Sequence, residues 1–458
     1  MTANRSTRWN TELRLWLDES SRAAGFDVCG VAEIRGSDDP AATQEAARFS
    51  AWIDAGHAGE MDYLKRRDES GTLIRGNLRA VMPWARSAIV CALNYNFAAP
   101  SVRSQNQLAQ SPGAATPLTI DPAPPGSGWI ARYAWSGRTL NDGTSAPTDY
   151  HNELLARLRA IEAGLLARAA CTTRCYVDTG PLVERTLAAE AGVGWIGKNT
   201  CLINQQLGSW LLLAVVVTDL PVELTEAEKE QAREVGGARA ASTPDELTVI
   251  HSFSLLSNDS CGTCTRCIDA CPTGALLGSK SPNASRTMDA SRCIAYLTIE
   301  KKGAIDPSLR APMGRHVFGC DICQDVCPWN SKLLRNQQSK PSDEAPGNPP
   351  GETLRTGVPS IPRPARNGWE SMQPRPELIH PALDWLAAMD APQFRRSFKG
   401  SPLERTGRKR LLRNVAIAMG NSGEARFLPQ LETWAAGDDP VLADAADWAR
   451  QMIRKLSF

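Results

Sequence analysis

Apolar residues recur at helical spacing near the beginning of the chain, at Leu13, Trp16 and Leu17. Gly25 stands where a helix C-cap glycine belongs, so a helix over 11–24 is expected. Residues 87–93 form a short apolar run that reads as a strand. Residues 210–217 form a second, rich in Val and Leu and stopped by Asp219 and Pro221, which reads as a buried strand. Helical spacing returns over 150–167, and again over 181–191, a segment opened by Pro181 and closed by Gly192. Strands and helices mixed in this way predict an α/β (α+β) body. The last part of the chain is helical: 408–419, 425–436 and 441–456, separated by Gly-Asn-Ser-Gly and Gly-Asp-Asp-Pro turns. Paired amphipathic helices with tight turns suit a HEAT-like unit, whose repeats run to about 40–47 residues. So small a unit cannot bury its own apolar face and is expected to dock on the rest of the chain.

Three stretches interrupt these patterns. Residues 98–128 and 336–368 are proline-rich with few apolar positions, and 223–246 is charged and alanine-rich. None can bury enough apolar surface to offset its ordering entropy, so all three read as loops or linkers. The chain then divides into a body over 1–222 with an insertion at 98–128, a linker over 223–250, a cysteine-rich segment over 251–332, a proline-rich linker over 333–368 and the helical unit over 369–458. With 42% hydrophobic and 22% charged residues, a mainly disordered or fibrous protein is excluded. The 51 basic and 50 acidic residues leave a net charge of +1, so any recognition of nucleic acid must be local. No apolar stretch approaches the roughly 20 residues that span a bilayer. The polar N-terminal region lacks the apolar core of a signal peptide. The twin arginines Arg66 and Arg67 stand inside the chain with no apolar run after them. A cytoplasmic protein with no membrane partner is expected.

The 13 cysteines are odd in number and strongly clustered, which favours a reduced compartment and metal or redox chemistry over a disulfide scaffold. Cys261-x2-Cys264-x2-Cys267-x3-Cys271-Pro272 is followed by Cys293 and then by Cys320-x2-Cys323-x3-Cys327-Pro328. Spacings of two wrap successive thiolates around one cubane, and the cysteine before proline turns away to a second. By that crossover, Cys261, Cys264, Cys267 and Cys327 hold one [4Fe–4S] cluster. Cys271, Cys320 and Cys323 hold the other, with Cys293 as its fourth ligand; the segment is ferredoxin-like. A zinc module would show two CxxC pairs and explains neither the x3 spacing nor the two Cys-Pro steps. The scattered Cys29, Cys91, Cys171, Cys175 and Cys201 read as small buried hydrophobes.

Gly192-Val-Gly194-Trp-Ile-Gly197-Lys198-Asn199 satisfies GxGxxG and nearly satisfies a P-loop. Both motifs need a strand before and a helix after, so that a helix N-terminus faces phosphate. Here a helix precedes and the apolar Cys201-Leu202-Ile203 follows, so a nucleotide site is not expected, although a glycine-rich loop still lets a ligand approach the backbone. Asp178, in Tyr176-Val177-Asp178-Thr179-Gly180-Pro181, has two readings. It is either the N-cap of helix 181–191 or an acid at a site mouth whose pKa burial would raise. His151, in Asp149-Tyr150-His151, partly matches the D-x-H-x-x-G signature of cobalamin proteins, but Leu154 replaces its glycine, which argues against a lower axial histidine ligand.

Between residues 395 and 413 stand Arg395, Arg396, Lys399, Arg405, Arg408, Lys409, Arg410 and Arg413 against the single acid Glu404. Lys301 and Lys302 add a second basic spot. The run is either a solvated helix face or a set of phosphate contacts.

These motifs together identify a resemblance. Gly59-Glu-Met61-Asp-Tyr-Leu64, Arg132-Tyr-Ala134 with Asp149-Tyr-His151, Val177-Asp-Thr-Gly-Pro-Leu-Val-Glu-Arg185, the Gly192–Thr200 stretch, Gly208-Ser209-Trp210, the eight cysteines and Leu412-Arg-Asn414 resemble the epoxyqueuosine reductases. These are cobalamin and iron–sulfur enzymes, related to reductive dehalogenases, that complete queuosine in tRNA. The resemblance implies a base-off cobalamin held between the body and the cluster segment. Arg75, Arg132, Asp178, Asn199 and Ser209 would line it, with the backbone of Gly197, Leu202 and Ile203, and Asp178 would donate the proton. It also implies reduction of epoxyqueuosine at the wobble position of a tRNA anticodon arm, with Lys301, Lys302, Arg408, Lys409 and Arg413 on RNA. An external low-potential electron donor and a monomeric state are expected. Two other functions compete: a cytoplasmic corrinoid reductase of a small molecule, like a reductive dehalogenase, and an electron-transfer iron–sulfur protein. The first would have no RNA-binding tail, and the second needs no large body before its clusters.

Overall fold

A computed structural model describes residues 6–36, 39–96, 124–222, 260–279, 281, 286–330 and 372–456. The linkers expected over 223–250 and 333–368, and most of the 98–128 insertion, lie outside the described residues. Four strands form the central sheet: β1 (Val28–Glu33), β2 (Ser87–Asn94), β3 (Thr173–Tyr176) and β4 (Leu211–Thr218). Their order is β1–β2–β4–β3, and every neighbouring pair is antiparallel.

The two apolar runs of the sequence are the two middle strands, with Ser87 opposite Thr218 and Asn94 opposite Leu211. They show no polar alternation because both faces of the sheet are covered. Ile89, Cys91, Leu93, Leu212, Ala214 and Val216 pack under α1 (Thr11–Ala23) and α2 (Tyr150–Arg168). Ala88, Val90, Ala92, Val215 and Val217 point the other way, to Ala188 of α3 (Glu184–Glu190) and to Leu202. Each fully buried Val or Leu contributes about 1.5–3 kcal/mol relative to exposure. Asn10 caps α1 by accepting from the Leu13 N–H at 2.8 Å. Gly25, just past its end, takes a left-handed φ of 85°, where a Cβ would be strained. α3 starts later than the Pro181 expected: Val183 holds the cap position and Pro181 lies in the bend before it.

The tail helices α4 (Ala391–Phe398), α5 (Gly407–Ser422), α6 (Leu428–Ala435) and α7 (Pro440–Leu456) do not close a core of their own. Leu411, Val415 and Met419 of α5 and Phe398 of α4 share one apolar cluster with Ile294, Leu297, Met313, Val317 and Phe318 of the cysteine-rich segment. Trp129, Ile130 and Trp135 of the body enter the same core, and His316 and Phe318 pair in parallel with Trp129 and Ile130. The tail therefore docks chiefly on the cluster segment, and all three parts of the chain meet along one seam.

Arg413 sits inside that joint, 1% exposed, which corrects the expectation from the resemblance that it contacts RNA. Its guanidinium donates to the carbonyls of Leu297, Lys301 and Gly303. Three carbonyls at the end of a helix form an acceptor set that a planar fork of donors can satisfy without a counter-ion. Asn414 completes the joint by donating to the carbonyls of Thr298 and Val317.

Candidate active site and cluster centres

The cysteines converge in two places. Cys261, Cys264, Cys267 and Cys327 line a cavity of about 150 Å³ beside Lys198, Asn199, Ile203 and Trp329. Burial pushes the Cys267 thiol up to about 12, and the nearby Cys261, Cys327 and Cys264 push the same way. The second group shows the same mutual influence. Cys320 is raised by burial and then by Cys293, with a smaller push from Cys271. Cys323 is raised first by a hydrogen bond with Cys201, which is thus more than a buried hydrophobe, then by burial, and less by Cys320 and Cys293. Buried thiols that raise one another ionise only when a metal compensates their charge, so both groups fit iron–sulfur clusters. Among the described residues no three Cys, His, Asp or Glu side chains converge to cage a single ion. In a cubane each thiolate binds a separate iron.

A cleft of about 290 Å³ lies where the three parts meet. The body contributes Tyr133, Tyr150 and Asp178, the cluster segment Ile299, Glu300 and Phe318, and the tail Pro402, Arg405 and Arg410. Asp178 follows β3 on a strained turn with φ 57°. Its backbone N–H donates to Glu184 Oε1 at 2.8 Å, so the link between Asp178 and the α3 turn is the reverse of an N-cap. Its side chain, 62% exposed, faces the cleft and accepts from the Tyr150 hydroxyl at 3.1 Å. His151 Nε2 stands 3.6 Å from the same Asp178 oxygen, and His151 Nδ1 lies 2.8 Å from Asp149 Oδ1. Arg405 Nη2 stands at the same 2.8 Å from Nδ1, so a carboxylate and a guanidinium compete for that nitrogen. Arg405, from the tail, pairs with Asp149.

These contacts reverse one expectation. Desolvation pushes the Asp178 carboxyl up, but the hydrogen bonds and charge of His151, with Tyr150 and Arg405, hold it below the ordinary carboxylate value. Desolvation works against the His151 cation, yet Asp149 and Asp178 raise it above the ordinary histidine value. Asp149 is also pulled up by desolvation, and His151 and Arg405 bring it down to about 2. Glu184, raised by burial and then by the Asp178 charge, reaches about 7. Set against the opposing Arg405 charge, the contacts make His151 hold a proton more readily, and Asp178 less readily, than either would in water.

The residues expected around a corrin separate into two sets. Arg75 does not line the cleft; its guanidinium stands 5.5 Å from the Tyr63 ring centroid and close enough to lower Glu184. Arg132, Asn199 and Ser209 are buried in the seam. Arg132 donates to Asp325 at 2.6 Å and lies over the Trp210 ring, while its backbone N–H donates to Asp321. Asn199 donates to the Cys323 carbonyl at 3.4 Å, and Ser209 bonds Asn330. Gly197, Leu202 and Ile203 form a small hairpin with Trp195 and Ile196 whose tip approaches the first cysteine group. Tyr133, Tyr150, Glu184 and Arg405 escaped the sequence reading as site residues. Tyr133, Tyr150 and Glu184 stood inside quoted motifs and Arg405 inside the basic run, which was the available signal.

The basic run is only partly free. Arg408 donates to the Met389 carbonyl and Arg410 to those of Thr406 and Ile299. Lys301 pairs with Glu60. Lys302, Arg395, Arg396, Lys399 and Lys409 are exposed, Lys409 at 88% despite standing 3.5 Å from Asp439.

Two family models match the chain: "Epoxyqueuosine reductase QueG, DUF1730" over residues 75–179, and "4Fe-4S double cluster binding domain" over residues 260–330. The epoxyqueuosine reductase of Gloeobacter violaceus is 31% identical over 88% of this chain and 95% of its own. A crystal structure of epoxyqueuosine reductase with an epoxyqueuosine-modified tRNA-Tyr stem loop superposes with a TM-score of 0.64 at 25% identity, covering 96% of this chain and 90% of that one. The epoxyqueuosine reductase of Xanthomonas campestris is 30% identical over 94% of this chain and 93% of its own. Likeness sustained through sheet, cluster segment and tail alike cannot come from one shared motif, and the chain belongs to the epoxyqueuosine reductase family.

Proposed function

We propose that this chain is a tRNA-modifying oxidoreductase that reduces epoxyqueuosine to queuosine at the wobble position of the anticodon arm. The observation that carries the reading is the cleft itself, which brings an acid group on the body, the flank of the second cysteine group and the basic tail to one place. Converting an epoxide to an alkene consumes two electrons and two protons and releases water. A base-off cobalamin between body and cluster segment, with the two [4Fe–4S] clusters held by the eight cysteines, supplies the electrons, which an external low-potential donor renews. Tyr133, Tyr150, Phe318 and Ile299, which line the cleft, would lie against the macrocycle.

The chain's own residues manage the proton. Asp178 faces the substrate oxygen, and a general acid there is worth roughly 10²–10⁴-fold. Because Asp178 is held ionised, His151 is the store that recharges it, oriented by Asp149 and Arg405. Exposed Arg395, Arg396, Lys399, Lys302 and Lys409 hold the RNA backbone without reading sequence. The target base leaves its stack to enter the cleft. The tail acts as a HEAT-like RNA-binding unit, the protein works in the cytoplasm as a monomer, and the domain limits follow the linkers named above.

Nucleoside mass spectrometry of tRNA from a strain lacking this gene tests the function. Accumulated epoxyqueuosine, restored to queuosine by the intact gene, is the expected result. Normal queuosine in the deletion strain would sink it.

A further inference from the structure

The lysine of the near-P-loop motif is built into a site of its own. Lys198 is 1% exposed, one of the largest fully buried side chains of the described residues. Its ammonium donates to the Gly262 carbonyl at 2.6 Å. Gly262 lies between Cys261 and Cys264 and takes a left-handed φ of 49°, so the bond pins the loop that presents two thiolates. Lys198 also lines the same cavity as Cys261, Cys264, Cys267 and Cys327. The walls around that cavity are apolar: Trp195 and Ile203 pack with Cys327, Cys261 and Trp329. Among the described residues no carboxylate stands within ion-pair distance of this ammonium.

A buried cation without an acid is costly, and nature pairs such charges. The group that four cysteine thiolates would hold is anionic in both oxidation states. Reduction adds one electron and no proton, so the reduced form is the more negative. We propose that Lys198 is the internal counter-charge of the first [4Fe–4S] cluster. It favours the reduced state, which raises the reduction potential, and it holds the Cys261–Cys264 loop in place. Arg266 lines the cavity from its exposed rim, where water and salt screen its charge. The proposal rests on the double-cluster segment, not on the tRNA reading, and it is tested without RNA.

The test is potentiometric titration of the anaerobically reconstituted full chain, followed by electron paramagnetic resonance. In Lys198→Met, both clusters should be retained and one should become harder to reduce. At fixed potential its reduced-to-oxidised ratio should fall at least tenfold, about 59 mV for one electron. Lys198→Arg should stay within about threefold of the unaltered protein, and Arg266→Met should too, by the screening argument. An unchanged potential in Lys198→Met, or an equal shift in Arg266→Met, overturns the proposal. If Lys198→Met loses one cluster's iron, Lys198→Arg decides. Recovery of the iron at near-normal potential supports the counter-charge, and continued loss makes Lys198 a packing residue and overturns it.

Discussion

The imidazole of His151 and the carboxylate of Asp178 stand 3.6 Å apart, Nε2 to Oδ2, with the Tyr150 hydroxyl 3.1 Å from the same oxygen. Asp178 sits on a strained turn after β3, and His151 sits in the first turn of α2, beside its N-cap Asp149. The pairing lowers Asp178 and raises His151, the arrangement that the proposed division between proton donor and proton store needs.

Asp178→Asn should keep both clusters and the fold while turnover falls by at least about two orders of magnitude. Single-turnover assays on epoxyqueuosine-containing RNA check this, with iron content as the control. Normal turnover would place the proton donor elsewhere.

His151→Gln should alter the pH profile as well as the rate. In the unaltered protein, activity should decline as pH rises through the raised His151 value, because the store empties. The variant should lose that alkaline limb and run slowly at every pH. An unchanged limb would remove His151 from proton delivery.

Glu184 supplies a stability signature. Its carboxyl is raised to about 7 in the folded protein. A raised group contributes stability that is fully present below its unfolded value and lost as pH rises through the folded one. Thermal stability should therefore decline between about pH 4.3 and 7. Glu184→Gln still accepts from the Asp178 N–H, cannot ionise, and should flatten that decline. Parallel pH curves for both proteins would contradict this.

Arg413→Ala should destabilise the chain, because it strands the carbonyls of Leu297, Lys301 and Gly303 inside the joint. The expected cost is on the order of 3 kcal/mol, read from chemical denaturation. Lys409→Glu, on an exposed side chain, should leave stability unchanged. Equal effects would mean that the joint is wet.

Charge reversal at Arg395, Arg396 and Lys399 should weaken RNA binding and reduce the salt slope by roughly 0.7–0.9 per lost phosphate contact. Filter binding across a salt series measures it. Wild-type affinity and slope would return these residues to a solvated helix face.

The sequence by itself determined what depends on short-range pattern. The cysteine spacing announced two clusters because ligand spacing along a chain limits which thiolates can wrap one cubane. The apolar runs at 87–93 and 210–217 announced strands, the second of them buried, and they are the paired middle strands of a sheet covered on both faces. The tail's helical period was equally legible, although its partner was not. Only the tertiary structure decided where charges go. Arg413 stood in a basic run that suggested phosphate contacts and Lys198 in a near-P-loop motif set aside for its order of elements, and each is buried: one on carbonyls of the cluster segment, the other beside cysteines of the first group. The Asp178 carboxyl depended likewise on His151 and Arg405, which come from other parts of the chain. Periodicity reports that a residue is polar or apolar and how often. The stability and pKa of a charge depend on which donors, acceptors and ions surround it, and packing between distant segments supplies those.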